Sequence, residues 1–251
     1  MKIKQVGTPL PEGSALWRYF DFQKFLSFMI EECVFFNRMD KMEDMNEGIS
    51  INQLQLKFGT EREKLIAKLE KANSNKKELP LERRQRLYFL SCWLIHHRES
   101  VAMWNSYSDD SGIALKVDAK KLIDSIVKES KVLNDSEKLL HLYYGNVHYK
   151  DFFNKKDRSS FKNEEKILGF HKDTCYEHEH EYRFLIKQDI KAKGEVQFVK
   201  LKLNNFKQIP FTLIYHPKME PWKKDNIRRV IESFAIININ CKDSELQLKN
   251  W

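Results

Sequence analysis

The segment "YEHEHEYRF", residues 176–184, holds the residue types in this chain that are best suited to chemistry. Glu177, Glu179 and Glu181 alternate, and Arg183 continues the series. If the segment is a strand, residues two apart lie about 7 Å from each other on one face, so the carboxylates are near neighbours. In a cleft, such neighbours raise one carboxyl pKa or require a cation, and Arg183 is a cation on the same face. The segment is therefore a solvated strand, a metal site or a catalytic face.

A metal site in this segment would use His178 and His180, with Cys175 or His171 as a further ligand. Structural zinc sites usually have four ligands in recognisable pairs. The chain has no such pairs, so we expect no metal. The standard motifs GxSxG, GxxxxGK[ST], GxGxxG and HExxH are also absent, which disfavours a serine hydrolase or a P-loop enzyme.

Composition predicts a globular chain with no export signal. The 251 residues are 41% hydrophobic and 32% charged, enough for one large domain or two small ones, with a sizeable core. The first residues lack the apolar region of a signal peptide, and the apolar runs are too short to span a bilayer. Four single cysteines are typical of a reducing compartment, so we expect a cytoplasmic protein without membrane contact.

The net charge of +8 favours a nucleic-acid partner or an acidic substrate, although lysines also serve simply to solvate a surface.

The elements that position these residues follow from hydrophobic spacing and capping residues. Asp21 and Asp118 are expected to cap helices, and Pro221 suits a first helical turn. We expect a single α+β domain over 1–251, with a mixed or mostly antiparallel sheet flanked by helices and a flexible connector at 72–80. The predicted strands are 15–21, 33–38, 86–94, 112–118, 142–151, 181–186, 196–203 and 209–217. The predicted helices are 22–32, 51–73 with a break near Gly59, 99–110, 119–127, 163–172 and 221–235.

Several separated motifs occur in a recognisable order. They are Trp17-Arg18-Tyr19, Phe35-Phe36, Asp44 with Glu47, Ser91-Cys92, Met103-Trp104 with Tyr107 and Gly112, and Glu179 with Glu181 and Arg183. In this order, over about residues 15–240, the chain resembles the bacterial family DUF2971, which includes AbiGi proteins associated with abortive phage infection. The acidic loop here reads "DMNE" where that family usually has a proline, so the path of this loop is expected to differ.

The chain is also similar to ADP-ribosyltransferases of the Arg-Ser-Glu type in its early arginine strand, middle serine strand and late Glu-x-Glu segment. This resemblance implies that Arg18 contacts the phosphates of NAD and that Ser91 steadies its nicotinamide half. It further implies that Glu181 holds the nicotinamide ribose hydroxyl, with Glu179 on the acceptor side. "SCW" stands where that fold often has Ser-Thr-Ser. NAD would be a substrate, and no metal is expected.

These assignments are chemically coherent. Breaking the glycosidic bond of NAD builds positive charge on the ribose, which a nearby carboxylate stabilises. A guanidinium fork suits a diphosphate, and the rings of Tyr19, Trp104 or Tyr107 can stack on a base. The alternatives are that Trp104 belongs to the core and that Arg18 forms a structural ion pair.

Asp44 and Glu47 are three residues apart and can share one face of a helical turn. They can bind a substrate hydroxyl, cap a helix or pair with an arginine. We expect them to form supporting ion pairs with Arg18 or Arg183.

The resulting hypothesis is a cytoplasmic bacterial effector of phage defence or of a toxin system, which transfers ADP-ribose from NAD to nucleic acid or protein. It would work with a cognate antitoxin or another defence protein. One alternative is a noncatalytic sensor or antitoxin-like module that recognises a nucleotide, nucleic acid or phage protein. Another is a metal-dependent nuclease using Asp44, Glu47 and the late glutamates. A cleft that holds Arg18, Tyr19, Ser91 and Glu181 together would favour the transferase.

Overall fold

A computed structural model describes residues 1–73, 80–133, 139–160, 168–191, 195–233 and 238–247. The helices are Phe22–Glu31 (α1), Ile51–Phe58 (α2), Glu61–Asn73 (α3), Leu81–Gln85 (α4), Val101–Tyr107 (α5), Ala119–Lys128 (α6), Lys155–Ser160 (α7) and Pro221–Ser233 (α8). The strands are Lys2–Val6 (β1), Ala15–Phe20 (β2), Cys33–Arg38 (β3), Tyr88–Ile95 (β4), Ile113–Asp118 (β5), Ser130–Val132 (β6), Leu139–Asn146 (β7), His148–Lys150 (β8), His171–Asp173 (β9), Glu181–Gln188 (β10), Phe198–Leu203 (β11), Phe211–Tyr215 (β12) and Ile239–Lys242 (β13).

Eleven of these strands form one mixed sheet, and β8 and β9 form a separate parallel pair. Most neighbours in the large sheet are antiparallel, whereas β1 with β7 and β12 with β13 are parallel. Helices connect and flank the strands, so the predicted α+β class is confirmed. No helix among the described residues is long and apolar enough to cross a membrane.

The large sheet forks at β4. One side of β4 pairs continuously with β10. On the other side, Phe89 and Leu90 pair with β3, whereas Leu94 and Ile95 pair with β2. One branch continues through β2, β5, β12 and β13, and the other through β3, β11 and β6. Between the two pairing regions, residues 91–93 face the opening of the fork, and α1 connects the two diverging strands.

Local sequence explains where the helices begin. The carboxylates of Asp21 and Asp118 accept hydrogen bonds from backbone amides three residues on, at 2.7 and 2.9 Å. Ser100 caps α5 in the same way, and Ser50 forms a capping box with Gln53 at the start of α2. A cap satisfies amides that the first turn cannot pair, which stabilises a helix by about 1 kcal/mol. The predicted caps at Asp21 and Asp118 are therefore confirmed.

The two faces of the sheet pack differently. The main core contains Tyr182, Phe184 and Ile186 of β10, together with buried residues of α1, α6 and the neighbouring strands. The alternating residues Glu181 and Arg183 point to the other face. One face of β10 therefore packs in the main core, and the other face has the buried charged pair Glu181 and Arg183.

Two predicted elements, and the strand considered for residues 176–184, differ from the structure. Residues 176–179 lie in a 3-10 helix, Thr174–Glu179, and His180 adopts a left-handed conformation with φ 36° before β10 begins. The predicted strand 142–151 is divided into β7 and β8.

The end of the predicted helix 163–172 is wrong. Residues 168–170 form a turn and β9 follows, because Gly169 has φ +94° and its Cα packs closely on Leu185. The rest of that helix, 163–167, and residues 74–79 of the predicted connector lie outside the described residues.

Candidate functional site

A cavity of about 870 Å³ lies at the fork of the sheet. Its walls come from β2, α1, β3, the acidic loop after β3, β4, α5, β9 and the start of β10. The lining includes these predicted site residues: Arg18, Tyr19, Asp44, Glu47, Tyr107, Glu179, Glu181 and Arg183. Ser91 and Trp104 do not line it. The fork therefore joins segments that are far apart in the sequence.

Arg18 lies on the main-core face of β2. Its Nη1 donates to Ser91 Oγ at 2.7 Å, and its guanidinium lies 5.4 and 5.5 Å from the ring centres of Phe20 and Trp93. Burial lowers the pKa of Arg18 to about 10. Among the described residues, no carboxylate lies within ion-pair distance of this guanidinium. A partly buried cation without an anionic partner, facing a cavity, is suited to bind an anion.

Arg183 lies on the opposite face and is fully enclosed by carboxylates. Its guanidinium contacts Glu47 at 2.6 and 2.8 Å and Glu181 at 2.6 and 3.0 Å, and it donates to the carbonyl of Gly169 at 2.7 Å. Arg183 and Glu47 are both 1% exposed. The predicted pairing of Glu47 with Arg183 is thus present, and it connects β10 to the acidic loop.

Lys172 of β9 completes the buried charge network. Its ammonium contacts a carboxylate oxygen of Glu179 and lies 2.9 Å from Glu181. Tyr107 of α5 donates its hydroxyl to the other oxygen of Glu179 at 3.0 Å. Glu179 and Glu181 therefore do lie together, but they do so across a turn and around a shared lysine.

The two neighbouring carboxyl groups have different electrostatic environments. Burial and the adjacent Glu181 raise the pKa of Glu179 to about 7, against the opposing effect of Lys172. Burial also acts to raise the pKa of Glu181, but Arg183 and Lys172 outweigh it and hold that pKa well below its usual range. Glu181 is therefore a fixed anion, whereas Glu179 can exchange a proton near neutral pH.

The local sequence explains this arrangement. Asp173 caps the 3-10 helix by accepting from the amide of Cys175 at 3.0 Å. The left-handed turn at His180 then reverses the chain, so Glu179 and Glu181 both point inwards. Glu177 stays exposed on the outer side of the 3-10 helix, as expected of a surface residue.

Two predicted cofactor-binding residues lie away from the cavity wall. Ser91 is 1% exposed, and its hydroxyl oxygen accepts from two cavity-lining residues, Arg18 at 2.7 Å and the ring nitrogen of Trp93 at 3.3 Å. Trp104 is fully buried and donates to Glu99 at 3.0 Å, which agrees with the alternative that it belongs to the core. Tyr19 lines the cavity, and its hydroxyl accepts from the amide of Ser100 at 2.9 Å.

Asp44 differs from its expected role in an ion pair. It accepts from the amide of Asn46 at 2.8 Å and forms no ion pair with a described residue. Within the part of the chain that the structure describes, no group of three or more His, Cys, Asp or Glu residues is placed to hold a metal ion.

Sequence reasoning missed Lys172, because the surrounding residues had helical spacing. A count of the charges indicates that a second cation is needed there. The cluster has three carboxylates, Glu47, Glu179 and Glu181, and one arginine, and buried carboxylates need cations. The transferase hypothesis placed Arg18 and Glu181 in one cleft, and both line the cavity. They approach the cavity from opposite faces of the sheet, because Arg18 shares its face with Ser91 and Trp93, whereas Glu181 shares its face with Cys92 and Leu94.

The fold and the site define an α+β protein with a forked sheet. One wall of its cavity has an arginine with no carboxylate partner among the described residues, and another wall has a carboxylate cluster. Residues 103–184 match the model of a family described as "Protein of unknown function (DUF2971)". The match confirms the predicted resemblance to this family over these residues. The matched residues include α5 and the segment with Glu179, Glu181 and Arg183, whereas Arg18 lies outside them. Neither the curated proteins nor the solved structures include a match to the chain. The resemblance to ADP-ribosyltransferases stays a prediction.

Proposed function

We propose that this protein transfers ADP-ribose from NAD to a macromolecule, nucleic acid or protein. The observation that carries the proposal is that Arg18, which has no carboxylate partner among the described residues, shares one cavity with Glu179 and Glu181. NAD has the matching chemistry: a diphosphate that needs a cation, and a ribose that becomes cationic when nicotinamide leaves. A cavity of about 870 Å³ is within the range of ligand sites.

Arg18 binds the diphosphate in this proposal. A guanidinium forms paired, charge-assisted hydrogen bonds to phosphate oxygens. Its present contacts, one serine hydroxyl and two aromatic rings, leave donors free toward the cavity. Phe20 and Trp93 also exclude water around the guanidinium, which strengthens an ion pair formed there.

The carboxylates act on the ribose and on the acceptor. The bond between ribose C1′ and the nicotinamide nitrogen breaks, and nicotinamide leaves as a neutral base with the bonding electrons. Glu181, which stays ionised, stabilises the cationic ribose. An acceptor hydroxyl or amine forms the new bond to C1′ and gives its proton to Glu179, whose pKa of about 7 suits a general base. Tyr107 orients Glu179 through its hydroxyl.

Nicotinamide release and NAD binding, measured on the same purified protein, test this proposal. Glu181→Gln keeps the size of the side chain and removes its charge, so we expect release to fall about 100-fold or more. Arg18→Gln should weaken NAD binding in a calorimetric titration. Glu177→Gln is the matched control, because this glutamate is exposed on the same segment and should leave both measurements unchanged.

Equal nicotinamide release by the native protein and by Glu181→Gln would show that the catalytic assignment is wrong. Melting curves of each variant separate a loss of activity from a loss of folding.

A second function, a noncatalytic nucleotide sensor, is favoured by one specific observation. Glu181 is held by both Arg183 and Lys172, so its negative charge already has two partners. A carboxylate held in this way also suits a rigid binding site that recognises a ligand without reacting with it. NAD binding at Arg18 without nicotinamide release, in the native protein, would select this alternative.

The cellular setting we propose is that of a cytoplasmic bacterial effector in phage defence or in a toxin system, controlled by a cognate antitoxin or another defence protein. The proposal rests on the match to DUF2971 over residues 103–184 and on the resemblance of the sequence motifs to those of AbiGi proteins. Expression in bacteria tests it: the native protein should arrest growth or limit phage yield, and Glu181→Gln should do neither.

A further inference from the structure

One end of the large sheet carries a row of basic and aromatic side chains on a single face. In the register of β1, β7, β10 and β4, Lys2 lies beside His141, His141 beside Lys187, and Lys187 beside Tyr88. Residues that are paired across neighbouring strands point to the same face of a sheet. Four strands thus contribute one side chain each to this row.

A second row lies two residues further along the strands. Lys4 of β1 is beside Tyr143 of β7, and Tyr143 is beside Leu185 of β10. The rings of His141 and Tyr143 are 5.4 Å apart and nearly parallel, at 19°. Both side chains are partly exposed, so they form a small aromatic surface between the lysines.

The charge on this face is positive. Lys2 and Lys4 are exposed, and Lys187 is partly exposed with its ammonium 5.7 Å from the ring of Tyr88. None of the three is ion-paired with a described residue. The only acidic residue in the sequences of β1, β7 and β10 is Glu181, at the far end of β10. Burial and the nearby Lys187 and Lys2 lower the pKa of His141, which agrees with a positive local field.

We propose that this face of β1, β7 and β10 binds single-stranded nucleic acid, with Lys2, Lys4 and Lys187 on the phosphates and Tyr143 with His141 stacked against bases. Lysines along a groove and aromatic rings that accept bases are the two parts shared by single-strand-binding surfaces. Unpaired bases are accessible for stacking, whereas the bases of a duplex are not.

The observations favour nucleic acid over other anionic partners. An anionic membrane also attracts lysines, but it gives no role to the stacked rings of His141 and Tyr143 on the sheet face. An acidic protein would compete for the lysines without needing the aromatic surface. Because phosphate contacts and stacking contribute separately, an experiment can measure each part on its own.

The surface is separate from the cavity but lies on the same face of β10 as Glu181 and Arg183. Lys187 is six residues from Glu181, which corresponds to about 20 Å along a strand. A single-stranded nucleic acid bound at this surface can therefore extend to Glu181 at the wall of the cavity. The binding proposal depends only on the sheet surface and holds whether or not the protein transfers ADP-ribose.

Fluorescence anisotropy with a labelled single-stranded RNA of mixed sequence, without NAD, tests the proposal. We expect the native protein to bind this RNA more tightly than a duplex of the same length. The triple variant Lys2→Gln, Lys4→Gln, Lys187→Gln should lower the magnitude of the salt-dependence slope by about 2, at about 0.7 per phosphate contact on a single strand. Tyr143→Leu should weaken single-strand binding about tenfold and leave the salt slope unchanged.

The matched control replaces three exposed lysines elsewhere, namely Lys120→Gln and Lys121→Gln on α6 and Lys207→Gln in the turn before β12. It removes the same charge and should retain native binding. An equal loss in the two triple variants would mean that only net charge matters and would overturn the proposal. No effect of Tyr143→Leu, or binding of anionic vesicles in place of RNA, would also overturn it. Melting curves of each variant exclude misfolding, and nicotinamide release reports separately on the cavity.

Discussion

Glu179 and Glu181 are the same kind of side chain two residues apart, and the fold moves their pKa values in opposite directions. Glu181 has two cationic neighbours, Arg183 and Lys172, and keeps its charge. Glu179 contacts one cation, Lys172, which it shares with Glu181. It is buried beside Glu181 and has a pKa of about 7. At the residue scale, the chemical difference between a fixed anion and a proton acceptor therefore comes from the number of cations that each carboxylate contacts.

This difference predicts a pH dependence of the transfer of ADP-ribose from NAD to an acceptor. A general base works only when it is deprotonated, so the rate should rise with pH between about 6 and 8, around the pKa of Glu179. In Glu179→Gln the rate should be lower and nearly independent of pH in this range. The measurement is the initial rate at saturating NAD across that pH range, with Glu177→Gln as the variant that keeps the native profile.

A native-like rise with pH in Glu179→Gln would assign the proton transfer to another group.

At the scale of elements, the short 3-10 helix Thr174–Glu179 and the turn at His180 are the parts that determine the site. A regular strand through this segment would hold Glu177, Glu179 and Glu181 on one face. The left-handed residue His180 instead separates a buried Glu179 on the 3-10 helix from a buried Glu181 on β10. The conformation is costly for a residue with a side chain, since a left-handed backbone is about 1–2 kcal/mol less favourable for L-amino acids.

The strained turn gives a prediction about stability. His180→Val, with a branched side chain, should be less stable than His180→Gly by about 1–2 kcal/mol, because glycine adopts φ 36° without this strain. The same two substitutions at exposed His178, inside the 3-10 helix, should not follow this order. Urea denaturation of the four variants measures the differences. Equal stability of the His180→Val and His180→Gly proteins would argue against strain at this turn.

At the scale of the whole molecule, the forked sheet and the buried ion network depend on each other. Arg183 of β10 contacts Glu47 in the acidic loop and the carbonyl of Gly169 before β9, so one side chain joins three separate parts of the chain. Its removal would leave Glu47 buried without its cation and would leave Glu181 with Lys172 alone. Arg18 has no such role, because its described polar partner is a serine hydroxyl.

The two arginines therefore give opposite predictions. Arg183→Met should lower the free energy of unfolding by about 3–5 kcal/mol, the usual cost of breaking a buried ion pair on one side. Arg18→Met should change it by about 1 kcal/mol or less, yet remove NAD binding. Chemical denaturation and calorimetric titration of the two variants test this pair. Comparable destabilisation by both would place Arg18 in the structural network and remove it from the proposed binding site.

Several features were predictable because they depend on short-range interactions. The strands at β2 and β3 and the caps at Asp21 and Asp118 agree with prediction, since alternation and capping act within a few residues. The pairing of Glu47 with Arg183 was expected from charge, although the sequence alone left Arg18 as an equal partner.

The sequence by itself determined the α+β class, the resemblance to DUF2971 and eight of the residues that line the cavity. Only the tertiary structure decided how they meet: that Lys172 joins Glu179 to Glu181, that Trp104 belongs to the core, and that Arg18 and Glu181 reach the cavity from opposite faces. The physical reason is that buried charges are satisfied by partners from distant segments. The fork at β4, which brings those segments together, arises from strand pairing that no local pattern encodes.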